Sequence, residues 1–165
     1  MTLVSQSRRA AASVMLALMV WSVSFFLHFF WEMAQVPFFS DMPDASHWEV
    51  IGLCTRATVG DANIAFGAYV LVALFTKDWF WITKPWRLST LSVYFAIGLI
   101  VTIIFEYWAT GTGQRWNYSD LMPRIPLLGT GALPLAQWVV IPVILIYAVK
   151  WMFLGWLVSK RTERE

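Results

Sequence analysis

Four uncharged, strongly apolar runs alternate with polar segments along the chain. The first extends from Ala10 to Trp31, broken only by the ionisable His28 and closed by Glu32. The second extends from Ala62 to Thr76, between Asp61 and Lys77. The third covers Leu88 to Phe105, between Arg87 and Glu106, and the fourth Ile125 to Val149. A helix crossing a bilayer needs ~17–25 residues, so each run reads as one span. The second run is short, and its helix is extended upstream through Asp61 to residue 57. Pro134 suits a first turn and starts the fourth helix. The pattern therefore predicts helices over 10–36, 57–76, 88–109 and 134–158, with loops over 38–56 and 110–133. They form one all-α membrane domain over residues 1–165, a four-transmembrane-helix bundle with no internal repeat.

Composition closes off the alternatives. Of 165 residues, 59% are hydrophobic and 13% charged, against ~45–50% and ~25% in a soluble domain, and the mean hydropathy is +0.62. A globule of this size keeps too much surface wet to hide that excess. An ordinary soluble enzyme, a disordered chain and a nucleic-acid-binding module are excluded. The lone Cys54 leaves no internal disulfide and no four-cysteine zinc site. The first run exceeds the ~7–15 residues of a signal-peptide core and no small-residue cleavage site follows it, so it is expected as a retained helix.

The distribution of charge orients the spans. Arg8 and Arg9 precede the first helix, Lys77, Lys84 and Arg87 separate the second from the third, and Lys150, Lys160, Arg161 and Arg164 mark the end of the fourth. Only Arg56, Arg115 and Arg124 lie on the other side. The positive-inside rule puts both termini in the cytoplasm and both long loops outside, in a cell inner membrane. Trp79, Trp81, Trp86, Trp151 and Trp156 fall at the inner boundary, and Trp31, Trp48, Trp108, Trp116 and Trp138 at the outer one. Such belts are expected where indoles meet headgroups. Trp21 alone falls mid-span.

Polar residues inside the spans point to chemistry. His28 and Glu32, at i and i+4, share a helix face that Ser24 and Gln35 continue. Asp61 is expected to open the second helix, Glu106 to close the third and Gln137 to open the fourth. In the topology above all five lie near the outer ends of their helices. Ionisable groups in spans are costly and by default mark a site facing the bundle interior. Seven of the ten acidic residues fall in the outer half: Glu32, Asp41, Asp44, Glu49, Asp61, Glu106 and Asp120. The structural alternative is interfacial placement, with Asp61 favoured by a helix N-terminus and Glu32 and Glu106 paired with Arg56 or Arg115. Small residues on the second helix (Gly60, Ala62, Ala65, Gly67 and Ala68) suit close helix packing. Pro142 is expected to kink the fourth helix.

The outer loops extend the candidate site. Residues 111–133 place Arg115, Trp116, Tyr118 and Arg124 among Gly and Pro turn signals, as a lid or binding segment would. In the first loop Asp44 is expected to cap a short interfacial helix carrying Trp48. A bis-histidine haem and a histidine-box di-iron centre are excluded by histidine count, and no nucleophile elbow, phosphate loop or dinucleotide fingerprint is present. His28, Glu32, Asp61 and Glu106 are ligand types a metal accepts, but their spacing is unspecific, and no cofactor is assigned. Acid/base chemistry remains. A carboxyl in an apolar cleft can hold a proton near neutral pH, and an imidazole beside it can hold or return one. Tyr107, Trp108 and Trp116 offer ring faces to a cationic intermediate. Protonation of an alkene, leading to isomerisation, cyclisation or hydration of an isoprenoid-like lipid, fits that set. So does a receptor for an amphiphilic cation.

The stretch His28-Phe-Phe-Trp-Glu32 resembles the HxxxE element of the emopamil-binding, or EXPERA, family of small helical membrane proteins. The segment QWVVIPVILIYAVKW, with its WxxxP pattern, is similar to that family's last helix, and Glu106 is compatible with its acidic position. The resemblance implies a polytopic bundle around a cavity for sterol-like amphiphiles, with His28, Glu32 and Glu106 lining it and double-bond isomerisation in the family's enzymes. Trp31-Glu32 with Gln35, and Gly60-Asp61 with Ile64-Ala65, also resemble uncharacterised bacterial four-helix membrane proteins. The expected function is a membrane-embedded binder of, or enzyme for, a lipophilic small molecule. Its expected site has His28, Glu32 and Glu106 as catalytic groups and Asp61, Tyr107, Arg115, Trp116, Tyr118 and Gln137 around the substrate. The alternative is a small transporter or accessory subunit of a membrane complex. Expected partners are membrane lipids or the lipophilic ligand, with a second copy or a partner subunit compatible with the packing.

Overall fold

The computed structural model describes residues 3–40, 42 and 44–162, with the side chains of 3–5 and 161 left aside. Asp41 and Arg164, counted above, lie outside the described residues. The fold is all-helical: α1 Leu3–Gln35, α2 His47–Thr76, α3 Leu88–Thr110 and α4 Ala132–Thr162. All four are long and apolar enough to cross a membrane. A helix is the form that satisfies every backbone donor and acceptor within its own segment, as an apolar surrounding demands. Helix α1 packs against α2 and α4, and α3 packs against the same two. The termini of the described chain share one end of the bundle, the tail end. The α1–α2 and α3–α4 connections share the other, the loop end.

Each helix buries a stripe that repeats every three or four residues. On α1 it runs Leu16, Val20, Ser24, His28 and Gln35, and on α3 Tyr94, Gly98, Thr102, Glu106 and Ala109. Towards the tail end the stripes are aliphatic or aromatic and meet in one core containing Leu16, Tyr69, Val72, Trp81, Tyr94, Leu145 and Phe153. Towards the loop end they turn polar. Helices α3 and α4 approach closely where Gly98 faces Trp138: a Cβ there would lie 2.0 Å from the indole. With Pro142 inside α4, that helix still runs unbroken from Ala132 to Thr162.

Two expectations about α2 need correction. The helix begins at His47 instead of residue 57, so much of the expected first loop is helical and Asp61 sits mid-helix. The stabilising end of a helix dipole does not explain Asp61, because that effect fades within the first turn. The N-cap is Ser46, not Asp44: its hydroxyl accepts from the Glu49 backbone N–H at 3.4 Å, and the Glu49 carboxylate accepts from Ser46 N–H at 2.8 Å. This reciprocal capping box satisfies donors that a helix start leaves free.

The tryptophans also sort differently. Trp81 and Trp138 are buried core residues, not headgroup anchors. Trp81 folds back from the α2–α3 connection, donates to Tyr69 O at 3.3 Å and packs on Tyr94 at 5.5 Å between ring centroids. Trp21, the mid-span exception, donates to Asn63 Oδ1 at 3.0 Å.

Candidate functional site

Three helices meet in one hydrogen-bonded group. The Gln137 amide nitrogen lies 2.5 Å from His28 Nδ1 and donates to Asp61 Oδ2 at 2.9 Å. His28 is fully buried and Gln137 nearly so, while Asp61 keeps some exposure. An amide NH2 group only donates, so Nδ1 must accept. That assigns the neutral imidazole with its proton on Nε2. The His28–Asp61 separation of 3.6 Å is then the span of a bridging amide, not a direct ion pair. His28 Nε2 is buried with no protein partner, as are Ser24 Oγ one turn away and Thr58 Oγ1 on α2. Below this group the imidazole lies 5.1 Å from the Trp138 ring.

Two further carboxyl groups border it. Glu32 Oε1 accepts from Gln35 Nε2 at 2.8 Å, and the same carboxyl faces Gln137, with Asp61 and Glu106 within electrostatic reach. Glu106 is buried and accepts from Tyr118 Oη and, at 3.5 Å, from Trp116 Nε1. Neither arginine suggested as a partner pairs with them. Arg56 Nε donates to Gly52 O at 3.2 Å, and Arg115 stacks over Trp108 at 5.6 Å. Neutral donors hold both carboxyls, so neither needs a cation.

The loop end is closed by the α3–α4 connection. Ser40 N–H donates to Asn117 O and Ser119 N–H to Phe38 O, each at 3.0 Å, which pairs Phe39 with Tyr118. Pro123–Ala132 folds as a small hairpin, with Ile125 N–H to Thr130 O at 2.9 Å and Gly129 at φ +68°, a left-handed backbone that glycine adopts freely. Phe39, Tyr118 and Met122 form a second apolar cluster with Trp116 and Leu133 against it. The polar layer thus lies between the main core and this lid. Burial first, then the bond to Glu106, holds the Tyr118 phenol well above the usual tyrosine range, so it remains a donor.

Of the residues the sequence nominates, His28, Asp61 and Gln137 are bonded together, Glu32 adjoins them, and Glu106 carries Tyr118 and Trp116. Tyr107 and Arg115 do not join: Tyr107 is 71% exposed on the outer face of α3 and Arg115 is exposed beside Trp108. Gln35, read only as extending a stripe, serves Glu32. Trp138, read as a belt residue, is the ring against His28. Its position one residue beyond Gln137 and four before Pro142 gives no sequence signal for that contact. Two clefts, of about 350 and 460 Å³, open on the surface, and neither is lined by a residue of the polar layer. Among the described residues no three His, Cys, Asp or Glu side chains come together as a metal would require. No family model, no curated protein and no solved structure matches the chain.

Proposed function

We propose that the chain is a multi-pass inner-membrane protein with both termini cytoplasmic, whose polar layer performs acid/base chemistry on a lipophilic small molecule reached from the outer side. One observation carries the reading: His28, Asp61 and Gln137 bond across three helices, with Glu32 and Glu106 beside them, in an otherwise apolar bundle. Buried ionisable groups of this kind are expensive and cluster where they are used. Glu32 and Asp61 are the partly exposed members, so a ligand meets the layer at these two carboxyls. Glu32 is the proton donor in this reading. Its proton adds to one carbon of an alkene and leaves the cation on the other, and the carbon on the far side of that cation gives up a proton to a carboxylate of the layer. The double bond moves and no co-reactant is consumed. The resemblance of His28–Glu32 and of Gln137–Trp151 to the emopamil-binding family supports the same substrate class, a sterol- or isoprenoid-like amphiphile. The lid must lift or slide for such a molecule to enter.

The close packing of the layer favours a second reading, in which the network holds a partner helix as part of an accessory subunit. Proton transport across the bilayer is less well supported, since the tail-end core is apolar. Lipid mass spectrometry of the purified protein separates the two readings. A lipophilic species should accompany the wild type and fall at least severalfold in Glu32→Gln and Glu106→Gln. Identical lipids in all three proteins, with an unchanged lipid profile in the host, would leave only the accessory-subunit reading.

A further inference from the structure

At the tail end, far from the polar layer, the start of α1 and the turn after α2 border an open surface cleft of about 350 Å³ lined by Gln6, Arg9, Ser13, Lys77, Trp79 and Phe80. We propose that this cleft binds a phosphate group, carried by an anionic lipid or free in solution. Its two cations come from distant parts of the chain, Arg9 in α1 and Lys77 capping α2, and no carboxylate pairs with either among the described residues. The neighbouring acid, Asp78, is taken by Lys84 at 2.5 Å, and its other oxygen accepts from the Phe80 N–H at 3.1 Å. The pair is therefore left uncompensated. Arg9 is steadied, with its guanidinium 6.0 Å from the centre of the Phe80 ring, an attraction that leaves its N–H donors free.

Lys77 adds a second signal. It caps α2 in the left-handed conformation, φ 53° and ψ 34°, where glycine sits without strain and a side chain does not. Lys77 lines the cleft from this position at the helix C-terminus, where a cation is favoured by the helix dipole. Trp79 stands 41% exposed at the rim, as an indole does at headgroup depth. A basic pocket between helix ends at one membrane face is the form that recognises phosphate headgroups. The site rests on the membrane reading for its lipid arm and on nothing at the loop end, so it fails or stands independently of the acid/base chemistry.

The test is native mass spectrometry of the full chain in detergent, titrated with phosphatidylglycerol, with phosphatidylcholine and with inorganic phosphate. One tight phosphatidylglycerol adduct is expected. It should weaken about fivefold in Arg9→Gln or Lys77→Gln and about thirtyfold in the double variant, and be retained in Arg56→Gln, which removes a cation at the far end. The charge-preserving pair Arg9→Lys with Lys77→Arg should restore most binding, which separates a lost contact from a lost fold. A lipid source is indicated if millimolar phosphate leaves the adduct in place, and a soluble one if phosphate displaces it. Equal binding by the double glutamine variant, or an equal loss in Arg56→Gln, overturns the proposal.

Discussion

Single residues bind this bundle through close approach and through shared hydrogen bonds, and each mode gives a measurable cost. Gly98 is required by the Trp138 ring against it. Gly98→Ala should lower stability by about 1–3 kcal/mol, because a tightly packed interior has no room for the methyl group. Gly60, with nothing within 4 Å of its would-be Cβ, is the comparison. Gly60→Ala should be neutral or stabilising by up to about 1 kcal/mol, as a helix interior favours alanine. Unfolding in detergent by thermal or dodecyl-sulfate titration reads both, and a Gly98→Ala protein as stable as wild type would refute the packing. Gln137 works through its bonds. Gln137→Leu deprives His28 Nδ1 and Asp61 of one donor each and should cost about 1–3 kcal/mol for the buried imidazole left unpaired. Imidazole nitrogen shifts should then show His28 released from its single tautomer. An unchanged spectrum would mean that Gln137 does not fix the ring.

At the scale of elements, the lid is held to α3 by Tyr118 on Glu106 and to the Phe38–Ser40 segment after α1 by backbone pairing. Tyr118→Phe removes the shorter of two bonds to a buried carboxyl, at about 1–2 kcal/mol. Amide exchange should quicken over 116–131 while the buried turn at 81–83 stays protected. The raised phenol also sets a pH window. A group whose folded value is raised contributes its full stability below the ordinary tyrosine value of about 10. The contribution declines progressively above that and is gone once pH has climbed through the higher folded value. Lid protection should therefore persist at pH 10 in the wild type, and early loss there would contradict the burial of Tyr118. Much of the element plan is legible in the sequence, because uncharged runs have one use at this length. The start of α2 is not, because Glu49, Arg56 and Asp61 interrupt its hydropathy and resemble a loop. Ser46 followed three residues later by Glu49 is the local sign that marks it. Contacts such as Tyr118 with Glu106 or Gly98 with Trp138 depend on how distant segments meet, and no local pattern encodes them.

For the whole molecule, an even number of spans returns both termini to one side, and the basic residues choose which. In a Cys54→Ser background, a cysteine at Asp120 should react with a membrane-impermeant maleimide added to whole cells, and one at Ser159 only after permeabilisation. The reverse pattern would invert the orientation and place the polar layer on the cytoplasmic side. The depth at which His28, Asp61 and Gln137 meet is legible from charge placement. The amide standing between the imidazole and the carboxylate is not, since three helices must first be docked to reveal it.

The buried turn at Trp81 and Ile82 carries a consequence for the flow of protons. With Trp81 against Tyr69 and Tyr94, and Ile82 fully enclosed, the tail end is stoppered by rings. Among the described residues, packed apolar side chains fill the bundle at this end. On the proposed acid/base reading, its carboxyls would take their protons from one compartment and return them to the same one. In a sealed vesicle they would follow the acidity on the lid side and ignore a pH step on the other, which is how a vessel behaves and a conduit does not.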